Sequence, residues 1–393
     1  MFKRNIFICL FLALVISCGG DGKEMISLHP MQEKMAYADH ETIMLELNEV
    51  SGLNHHMPKS LLIIHQYLNN ETTSGFITND LSVLTTDKVQ ISTINDSSIL
   101  ILEPSNNRLI QYDIEINSYE IISDQGRGPG DLYFAEELST FNDKAFVGMQ
   151  GFQLSIFDCS MDLCVYEKTI NTDFNNYSID ATEDQIYVLG ISPFGNPQDS
   201  DPLNSDHNLF HILNYQGDVL NSFHPAYDDR SPLVRNRLSS GGMIKTYSNK
   251  SLILIAFDFF PYLYEYEAGG DLTNIFQIDN FVQPIYESKE SLHSGFSAGL
   301  IYGNKTVIDL TTRVDDEWLF LRLYERRNIG FDHVNVTFTG DEWYTYLAYN
   351  VERRELYKLG DDIKTTPGDS RVLHVLDQGI MVNNDGKLKY ITR

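Results

Sequence analysis

The fold is decided by a stretch that recurs along the chain, first as LIQYDIEINSYEII at residues 109–122. Two runs of strand-forming residues flank a polar turn, so the stretch predicts a β-hairpin. Five further hairpins are predicted, and they begin at Leu154, Phe210, Tyr262, Tyr346 and Ile380. Three of them turn at Gln216-Gly217-Asp218, Gly269-Gly270-Asp271 and Asn384-Asp385-Gly386, and the last two are strong hairpin signals.

The spacing of these hairpins predicts a closed, repetitive all-β fold. Successive hairpins begin 45, 56, 52, 84 and 34 residues apart, and a short apolar strand precedes most of them, such as residues 99–102 and 252–255. Three or four strands per repeat are typical of a propeller blade. We therefore expect a six-bladed β-propeller of four-stranded antiparallel blades, with an insertion between Arg326 and Gly340. A pair of β-sandwiches or a β-helix is the alternative.

The two ends of the chain are expected to close the ring. Residues 371–393 have room for about three strands, which leaves the last blade one strand short. Propellers avoid exposed sheet edges by pairing a strand from one terminus with the blade formed by the other. We predict that residues 81–84 or residues 89–94 complete the last blade.

The first eighteen residues predict export and lipidation. Lys3 and Arg4 precede an apolar run at residues 6–16, which is shorter than the roughly 20 residues of a membrane-spanning helix. Residues 15–18 resemble the bacterial lipobox, so Cys18 would be the lipidated first residue of the mature protein and would anchor it stably to a membrane. A plain secretory signal is the alternative. The predicted organisation is a signal peptide at 1–17, a tether and poorly defined segment at 18–75, and a propeller at 76–393.

The charge of the protein argues against nucleic acid as a partner. Loss of Lys3 and Arg4 with the signal peptide changes the formal net charge from −26 to −28. A polyanion would be repelled by such a field, and no arginine-rich stripe interrupts it. The acidity either keeps the protein soluble or concentrates cations and basic partners near it.

Two cysteines remain once Cys9 leaves with the signal peptide and Cys18 is lipidated. Cys159 and Cys164 flank a four-residue turn between two predicted strands, which would place their sulfur atoms across the neck of a hairpin. We expect a disulfide there. A zinc site is the alternative, but it would need two further soft or imidazole ligands, and the flanking residues supply none.

The most distinctive string in the sequence is DQGRGPGDL, at residues 124–132. Its three glycines and its proline predict a sharp, irregular connection between blades, although a ligand site is also conceivable. A phosphate-binding P-loop is excluded because the Lys-Ser/Thr pair and the following helix are missing. We refer to residues 124–132 as the signature turn.

The signature turn resembles the Gly-x-Gly-Pro-Gly-Glu/Asp motif of TolB-like, six-bladed β-propeller lipoproteins in the envelope of gut-type Gram-negative bacteria. The matching residues are Gly126, Arg127, Gly128, Pro129, Gly130 and Asp131. Asp131 stands where many relatives carry glutamate. The resemblance implies a six-bladed propeller and a cell-envelope location, and most members of the family have no assigned activity.

Common catalytic and metal-binding motifs are missing from the sequence. Neither His-Glu-x-x-His nor Gly-x-Ser-x-Gly nor Cys-x-x-Cys occurs. His207 and His211 are four residues apart, but they lead into a predicted strand, so a shared metal is not expected. The acidic runs at 228–229, 315–317 and 361–362 lack the ligand spacing of a calcium loop and are interpreted as solvated turns. No catalytic residue, resident metal or other cofactor is therefore predicted.

Two classes of function remain open. The favoured hypothesis is a non-catalytic binding or scaffolding module, anchored in the outer membrane, that presents loops and a central funnel to a protein or glycan partner. Which face of the membrane it occupies is left open. The alternative is a propeller enzyme, a metal-dependent lactonase-like hydrolase or a lyase, with a divalent cation in the central channel.

Overall fold

The computed structural model describes most of the protein after residue 40 and one short strand before it. The described residues are 25–27, 41–50, 56–69, 76–84, 89–95, 97–149, 152–191, 208–226, 241–282, 285–288, 299–302, 305–332, 337–365, 371–384 and 387–393. The predicted signal peptide and Cys18 lie outside these residues, as do His207 and the acidic pair at 228–229. Within the described ranges, no helix is both long and apolar enough to cross a membrane.

The described part of the protein is almost entirely β-strand. The strands before the first complete sheet are β1 (Met25–Ser27), β2 (Thr42–Leu45), β3 (Leu47–Glu49) and β4 (Ile77–Leu84), with helix α1 (Lys59–Leu68) between β3 and β4. The next twelve are β5 (Gln90–Asn95), β6 (Ser98–Glu103), β7 (Arg108–Asp113), β8 (Ser118–Ser123), β9 (Ala135–Phe141), β10 (Lys144–Met149), β11 (Gln153–Asp158), β12 (Val165–Asn171), β13 (Asn175–Ala181), β14 (Ile186–Ile191), β15 (Asn208–Leu213) and β16 (Val219–Pro225). The remainder are β17 (Met243–Tyr247), β18 (Leu252–Ala256), β19 (Tyr262–Glu267), β20 (Leu272–Ile278), β21 (Ile285–Ser288), β22 (Gly299–Tyr302), β23 (Lys305–Arg313), β24 (Trp318–Asp332), β25 (Thr337–Asn350), β26 (Glu355–Lys358), β27 (Ile363–Thr365), β28 (Arg371–Leu376), β29 (Gly379–Asn384) and β30 (Lys387–Thr392).

These strands form the four-stranded antiparallel meanders of a β-propeller, which confirms the predicted all-β propeller of four-stranded blades. Strands β5–β8, β9–β12, β13–β16 and β17–β20 each run consecutively through one sheet, and β23–β26 do the same in a larger one. The predicted hairpins are the third and fourth strands of these sheets. The hairpin that begins at Ile380 is an exception, because it supplies the second and third strands of its sheet.

The hydrophobic core lies between neighbouring sheets. The second strands are the most apolar, and every residue of β6 and β14 is buried. One apolar cluster joins β14 and β15 to β18 and β19, and its members include Phe210, Ile255 and Tyr264. β-Branched and aromatic side chains suit this environment because they pack well on a pleated surface that is covered on both sides.

The first strands of the sheets surround a central channel. Strand β5 lies beside β9, β9 beside β13, and β13 beside β17, while β28 lies between β23 and β5. The remaining neighbours, β17 and β23, are joined where the Arg313 guanidinium donates a hydrogen bond to the carbonyl oxygen of Thr246 (2.6 Å). These six strands supply most of the side groups that line the channel.

The last sheet is completed by a strand from the N-terminal part of the protein. Strand β4 pairs with β30 in antiparallel register, with Asn79 opposite Tyr390 and Ile77 opposite Thr392. The sheet order is β28-β29-β30-β4, so β4 is the outermost strand. This confirms the prediction for residues 81–84. The competing prediction for residues 89–94 is wrong, because β5 is the first strand of its own sheet.

Strands β2 and β3 and helix α1, for which the sequence left no predicted structure, pack against the propeller. Strand β2 adds in parallel to the outer edge of β20, and β3 does the same to β26. Helix α1 buries Leu61, Ile63 and Ile64 and packs against β28 and β29. Strands β2 and β3 therefore cover the outer edges of two sheets.

The long step between the fourth and fifth predicted hairpins has two structural origins. Strands β24 and β25 continue to pair beyond Arg326 until Asp332 faces Thr337, so the predicted insertion is an elongated hairpin. Strands β21 and β22 form a second hairpin, which pairs with β1 in a separate three-stranded sheet. The insertion is thus larger than the sequence predicted.

Candidate functional site

The central channel is a cavity of about 1020 Å³. Successive residues of the first strand β5, from Gln90 to Ile94, all line the channel. None of its residues is buried, and β5 reads Gln-Ile-Ser-Thr-Ile-Asn, whereas its buried neighbour β6 reads Ser-Ile-Leu-Ile-Leu-Glu. The channel is polar because its walls are the solvent-exposed faces of these first strands.

Asp180 connects three neighbouring sheets within the channel wall. One carboxylate oxygen accepts hydrogen bonds from the backbone N–H (2.7 Å) and the hydroxyl (3.0 Å) of Thr246 on β17. The other accepts a hydrogen bond from the hydroxyl of Ser139 on β9 (3.2 Å). Asp180 itself is on β13 and is 3% exposed. Since all three bonds cross between sheets, the carboxylate fixes the relative positions of the strands that carry them.

Glu137 is a second acidic group of the same wall. The side-chain N–H of Gln90 donates to Oε1 of Glu137 (3.2 Å), and the side-chain oxygen of Gln90 accepts from the backbone N–H of Leu138 (2.7 Å). Burial raises the pKa of Glu137 to about 8, against the opposing effects of the Gln90 hydrogen bond and the charge of Lys245. The carboxyl group is therefore largely protonated at neutral pH and is able to donate a hydrogen bond.

Three cations of the channel wall form no ion pair with any described acidic residue. Among the described residues, no carboxylate oxygen lies within 4.0 Å of the charged nitrogens of Lys245, Arg313 or Arg371. They belong to β17, β23 and β28, which follow one another around the channel. We call these three residues the basic arc.

The members of the basic arc differ in how they are held. Arg313 is fixed by its bond to the Thr246 carbonyl, and Arg371 lies with its guanidinium carbon 5.8 Å from the centre of the Tyr344 ring. Burial lowers the pKa of Lys245, an effect increased by Arg313 and opposed by Asp180 and Glu137. An anion close to Lys245 would offset this unfavourable burial of positive charge.

A fourth cation, Arg322, is already neutralised. It donates to Asp309 through Nε (2.8 Å) and Nη2 (2.6 Å), and through Nη1 to the carbonyl oxygen of Val372 (2.7 Å). Its guanidinium carbon lies 5.0 Å from the centre of the Tyr344 ring, on which Arg371 also rests. The Tyr344 ring therefore contacts two guanidinium groups. Arg322 is paired with Asp309, whereas Arg371 is available to a ligand.

His374 is a neutral polar group of the channel. Its Nε2 lies 3.0 Å from the hydroxyl of Thr93, which connects β28 to β5. Burial, together with the charge of Lys245, lowers the pKa of His374 to about 3. The imidazole is therefore uncharged at physiological pH.

The signature turn connects β8 to β9 and closes on itself. The backbone N–H of Leu132 donates to Asp124 (3.0 Å), and that of Gly126 donates to Leu132 (3.1 Å). Gly130 has a φ of +85° and lies against the Tyr166 ring, so any larger residue at this position would be strained. Asp131 accepts a hydrogen bond from the backbone N–H of Gly128 (2.7 Å).

These contacts favour the structural interpretation of the signature turn. Its residues are not among the described residues that line the channel. Arg127 is exposed, and its guanidinium carbon lies 5.0 Å from the centre of the Tyr133 ring. Pro129 is also exposed, at the tip of the turn.

Cys159 and Cys164 form the disulfide expected from their spacing. Their Cα atoms are 4.0 Å apart, at the point where β11 leads into β12. The backbone N–H of Cys164 donates to the side-chain oxygen of Gln111 on the preceding sheet (2.8 Å). The bridge thus closes a turn that also contacts its neighbour.

The remaining polar candidates from the sequence have local structural roles. His211 stacks on Phe174 with ring centroids 3.8 Å apart, and burial lowers its pKa to about 4. Asp315 accepts hydrogen bonds from the backbone N–H groups of the next turn, and Asp362 pairs with Arg327 and Lys358. Within the part of the protein that is described, no three His, Cys, Asp or Glu residues are grouped to hold a metal ion.

Sequence reasoning missed the channel residues because the first strands look unlike the others. Apolar runs reveal the second strands, and tight turns reveal the hairpins that follow them. A first strand such as β9, Ala-Glu-Glu-Leu-Ser-Thr-Phe, has neither signal. A useful signal would have been a short polar, alternating segment directly before each apolar strand.

Comparison with known proteins finds similarity in fold alone. No family profile matches the sequence, and no curated protein matches it. A member of the duf4221 family from Bacteroides vulgatus is 9% identical with a TM-score of 0.50, over 81% of this protein and 95% of that one. A protein described as exported from Bacteroides fragilis is 11% identical (TM-score 0.48; 81% and 95% covered), and virginiamycin B lyase from Staphylococcus aureus is 10% identical (TM-score 0.43; 81% and 99% covered). Identities this low carry no information on activity.

Proposed function

We propose that this protein is a lipid-anchored β-propeller of the bacterial cell envelope that binds a protein or glycan partner without chemically altering it. The observation that carries the proposal is the preformed central channel. Its polar groups are held by hydrogen bonds between sheets, as at Asp180, so their positions do not depend on a ligand. A rigid polar cavity of this kind loses little conformational entropy when it binds.

The proposed ring has six blades and is of the TolB-like type. Five blades are counted when only regular repeats are included. Six is favoured because six sheets have at least four strands and each contributes its first strand to the channel wall. Five of these sheets contain four strands that are consecutive in the sequence, and the sixth takes its fourth strand, β4, from the N-terminal part of the protein. The signature turn supports the TolB-like assignment.

The proposed anchor is Cys18, in the outer membrane. The argument rests on the sequence, in which a basic start, a short apolar run and a lipobox-like end follow one another. Several acyl groups on one cysteine would hold the protein at the membrane, whereas a single acyl group gives only marginal binding.

Site-directed photocrosslinking in the native membrane tests this function. A photoreactive amino acid replaces Asp316, an exposed residue that lines the channel, and in a matched strain it replaces Glu115, an exposed residue of the turn between β7 and β8. We expect protein or glycan adducts from position 316 and none of the same adducts from position 115. A Cys18→Ala variant should lose both membrane association and these adducts. Identical adducts at both positions, or none at either, would contradict the proposal.

A further inference from the structure

We infer that the channel binds an acidic saccharide, whose carboxylate contacts Lys245, Arg313 and Arg371 while its hydroxyl groups contact the opposite wall. This inference rests on the proposed binding function and specifies the ligand class. It arises from the unequal distribution of charge and hydroxyl groups around the channel.

The basic arc provides the recognition of the carboxylate. Arginine presents a planar fork of donors that matches a carboxylate, and hydrogen bonds between two charged groups are about twice as strong as neutral ones. Five other described arginines are paired with acids, for example Arg108 with Glu103 and Arg354 with Glu265. Cations left without an acid in one cavity of a strongly acidic protein indicate an anionic ligand.

The opposite wall provides hydrogen-bonding groups suited to a sugar. Strands β5, β9 and β13 contribute Ser92, Ser139, Thr140 and Asp180 to the channel, together with Gln90 and Glu137. Hydroxyl groups both donate and accept hydrogen bonds, and each retains capacity after one bond is made. The Thr140 hydroxyl donates to the carbonyl oxygen of Thr93 (2.6 Å) and is hydrogen-bonded to the Ser92 hydroxyl (2.7 Å), so both side chains are held in place and their oxygens keep acceptor capacity. We call this wall the hydroxyl arc.

The size and net charge of the channel limit the ligand further. A cavity of about 1020 Å³ is at the upper end of the roughly 300–1,000 Å³ of ordinary ligand pockets, which suits a short oligosaccharide. Acidic groups such as Asp180, Asp309 and Asp316 also line the channel, and the whole protein has a net charge of −26. A ligand with widely spaced single charges is therefore favoured over a polyphosphate, which would meet strong repulsion.

Calorimetric titration of the full-length lipidated protein in detergent tests the inference. The compounds tested are a galacturonic acid trimer, the corresponding neutral galactose trimer, a glutamic acid tripeptide and inorganic phosphate. We expect the uronate trimer to bind at least about tenfold more tightly than the other three, as a hydrogen-bonded charge pair requires. Equal binding of the neutral trimer, or preferential binding of the peptide or phosphate, would overturn the inference.

Two charge-removing variants locate the binding site. Lys245→Gln and Arg371→Gln should each weaken uronate binding by about tenfold or more, whereas Lys387→Gln should leave it unchanged. Lys387 is a matched control because it is an exposed cation in the same sheet as Arg371. Two different strands carry the test residues, so a folding defect in one variant leaves the other informative. Unchanged affinity in the folded variants would refute the assignment.

The result of these binding experiments can be distinguished from the result of the crosslinking experiment that tests the proposed function. If crosslinking from the channel recovers a partner while the uronate trimer fails to bind, the inference is wrong and the binding function stands. If neither experiment detects a ligand, both are wrong.

Discussion

Asp180 and Thr246, which are 66 residues apart, are joined by two hydrogen bonds to a single carboxylate oxygen, one from the backbone and one from the hydroxyl. Both residues are buried, at 3% and 1% exposure. The pair connects β13 to β17 at the channel wall, where the strands of different sheets have no backbone ladder between them. Stability of the ring and shape of the channel therefore depend on the same carboxylate.

Replacement of Asp180 by alanine should destabilise the protein. The variant leaves the buried N–H and hydroxyl of Thr246 without their acceptor, and each such group costs about 1–3 kcal/mol. We expect the free energy of unfolding to fall by about 2–4 kcal/mol in urea denaturation. Asp184→Ala, at an exposed position, is the control and should change it by less than about 0.5 kcal/mol. Equal stability of the two variants would show that the connection is dispensable.

Truncation of the buried side chain of Leu81, which holds β4 against the last sheet, should weaken ring closure. Leu81 is 7% exposed and packs in the cluster that contains Met381 and Tyr390, so Leu81→Ala should cost about 2–4 kcal/mol. Ile77 on the same strand is 59% exposed, and Ile77→Ala should cost less than about 0.5 kcal/mol. Unfolding is followed by tryptophan fluorescence in urea. A similar, small effect of both substitutions would argue that β4 does not hold the ring closed.

Glu137 should make stability depend on pH. Burial raises its pKa from 4.5 to about 8, so between these values the folded protein holds a proton that the unfolded state has released. The stabilising effect is complete below pH 4.5 and is lost as the pH rises toward 8. Glu137→Gln mimics the protonated form and should therefore be more stable than wild type at about pH 8.

Urea unfolding between about pH 5 and pH 8 measures this effect. Without the titration of Glu137, the slope of the free energy of unfolding against pH should become shallower by up to about 1.4 kcal/mol per pH unit. Glu183→Gln, at an exposed site, should keep the wild-type slope. If Glu137→Gln also keeps it, the carboxyl group is ionised in the folded protein.

Divalent cations discriminate between a binding module and a metal-dependent enzyme. A ligand that binds only the folded state raises its melting temperature by mass action. We expect calcium, magnesium and zinc at millimolar concentration to shift the melting temperature by less than about 1 °C, as judged from a matched scan in EDTA. A rise of several degrees would favour the lactonase-like or lyase alternative.

Local sequence signals predicted the parts of the fold that depend on neighbouring residues. Hairpins were recognisable because a turn such as Gly269-Gly270-Asp271 and its flanking strands are contiguous, and Gly270 does adopt a positive φ of 98°. The disulfide was foreseeable for the same reason, since Cys159 and Cys164 are five residues apart. Ring closure was predicted in part, because only one of the two proposed segments has the right position.

The sequence by itself determined the repeating hairpins, the local disulfide and the apolar second strands, because these depend on periodicity and turn chemistry within a few residues. Tertiary structure alone decided where the first strands meet, which sheet edges β2 and β3 cover, and which of the described channel cations lack an acid within 4.0 Å. Lys245 and Arg371 are 126 residues apart, and nothing in their local sequence marks them. They face one channel only because the sheets close into a ring, and that is a property of the whole protein.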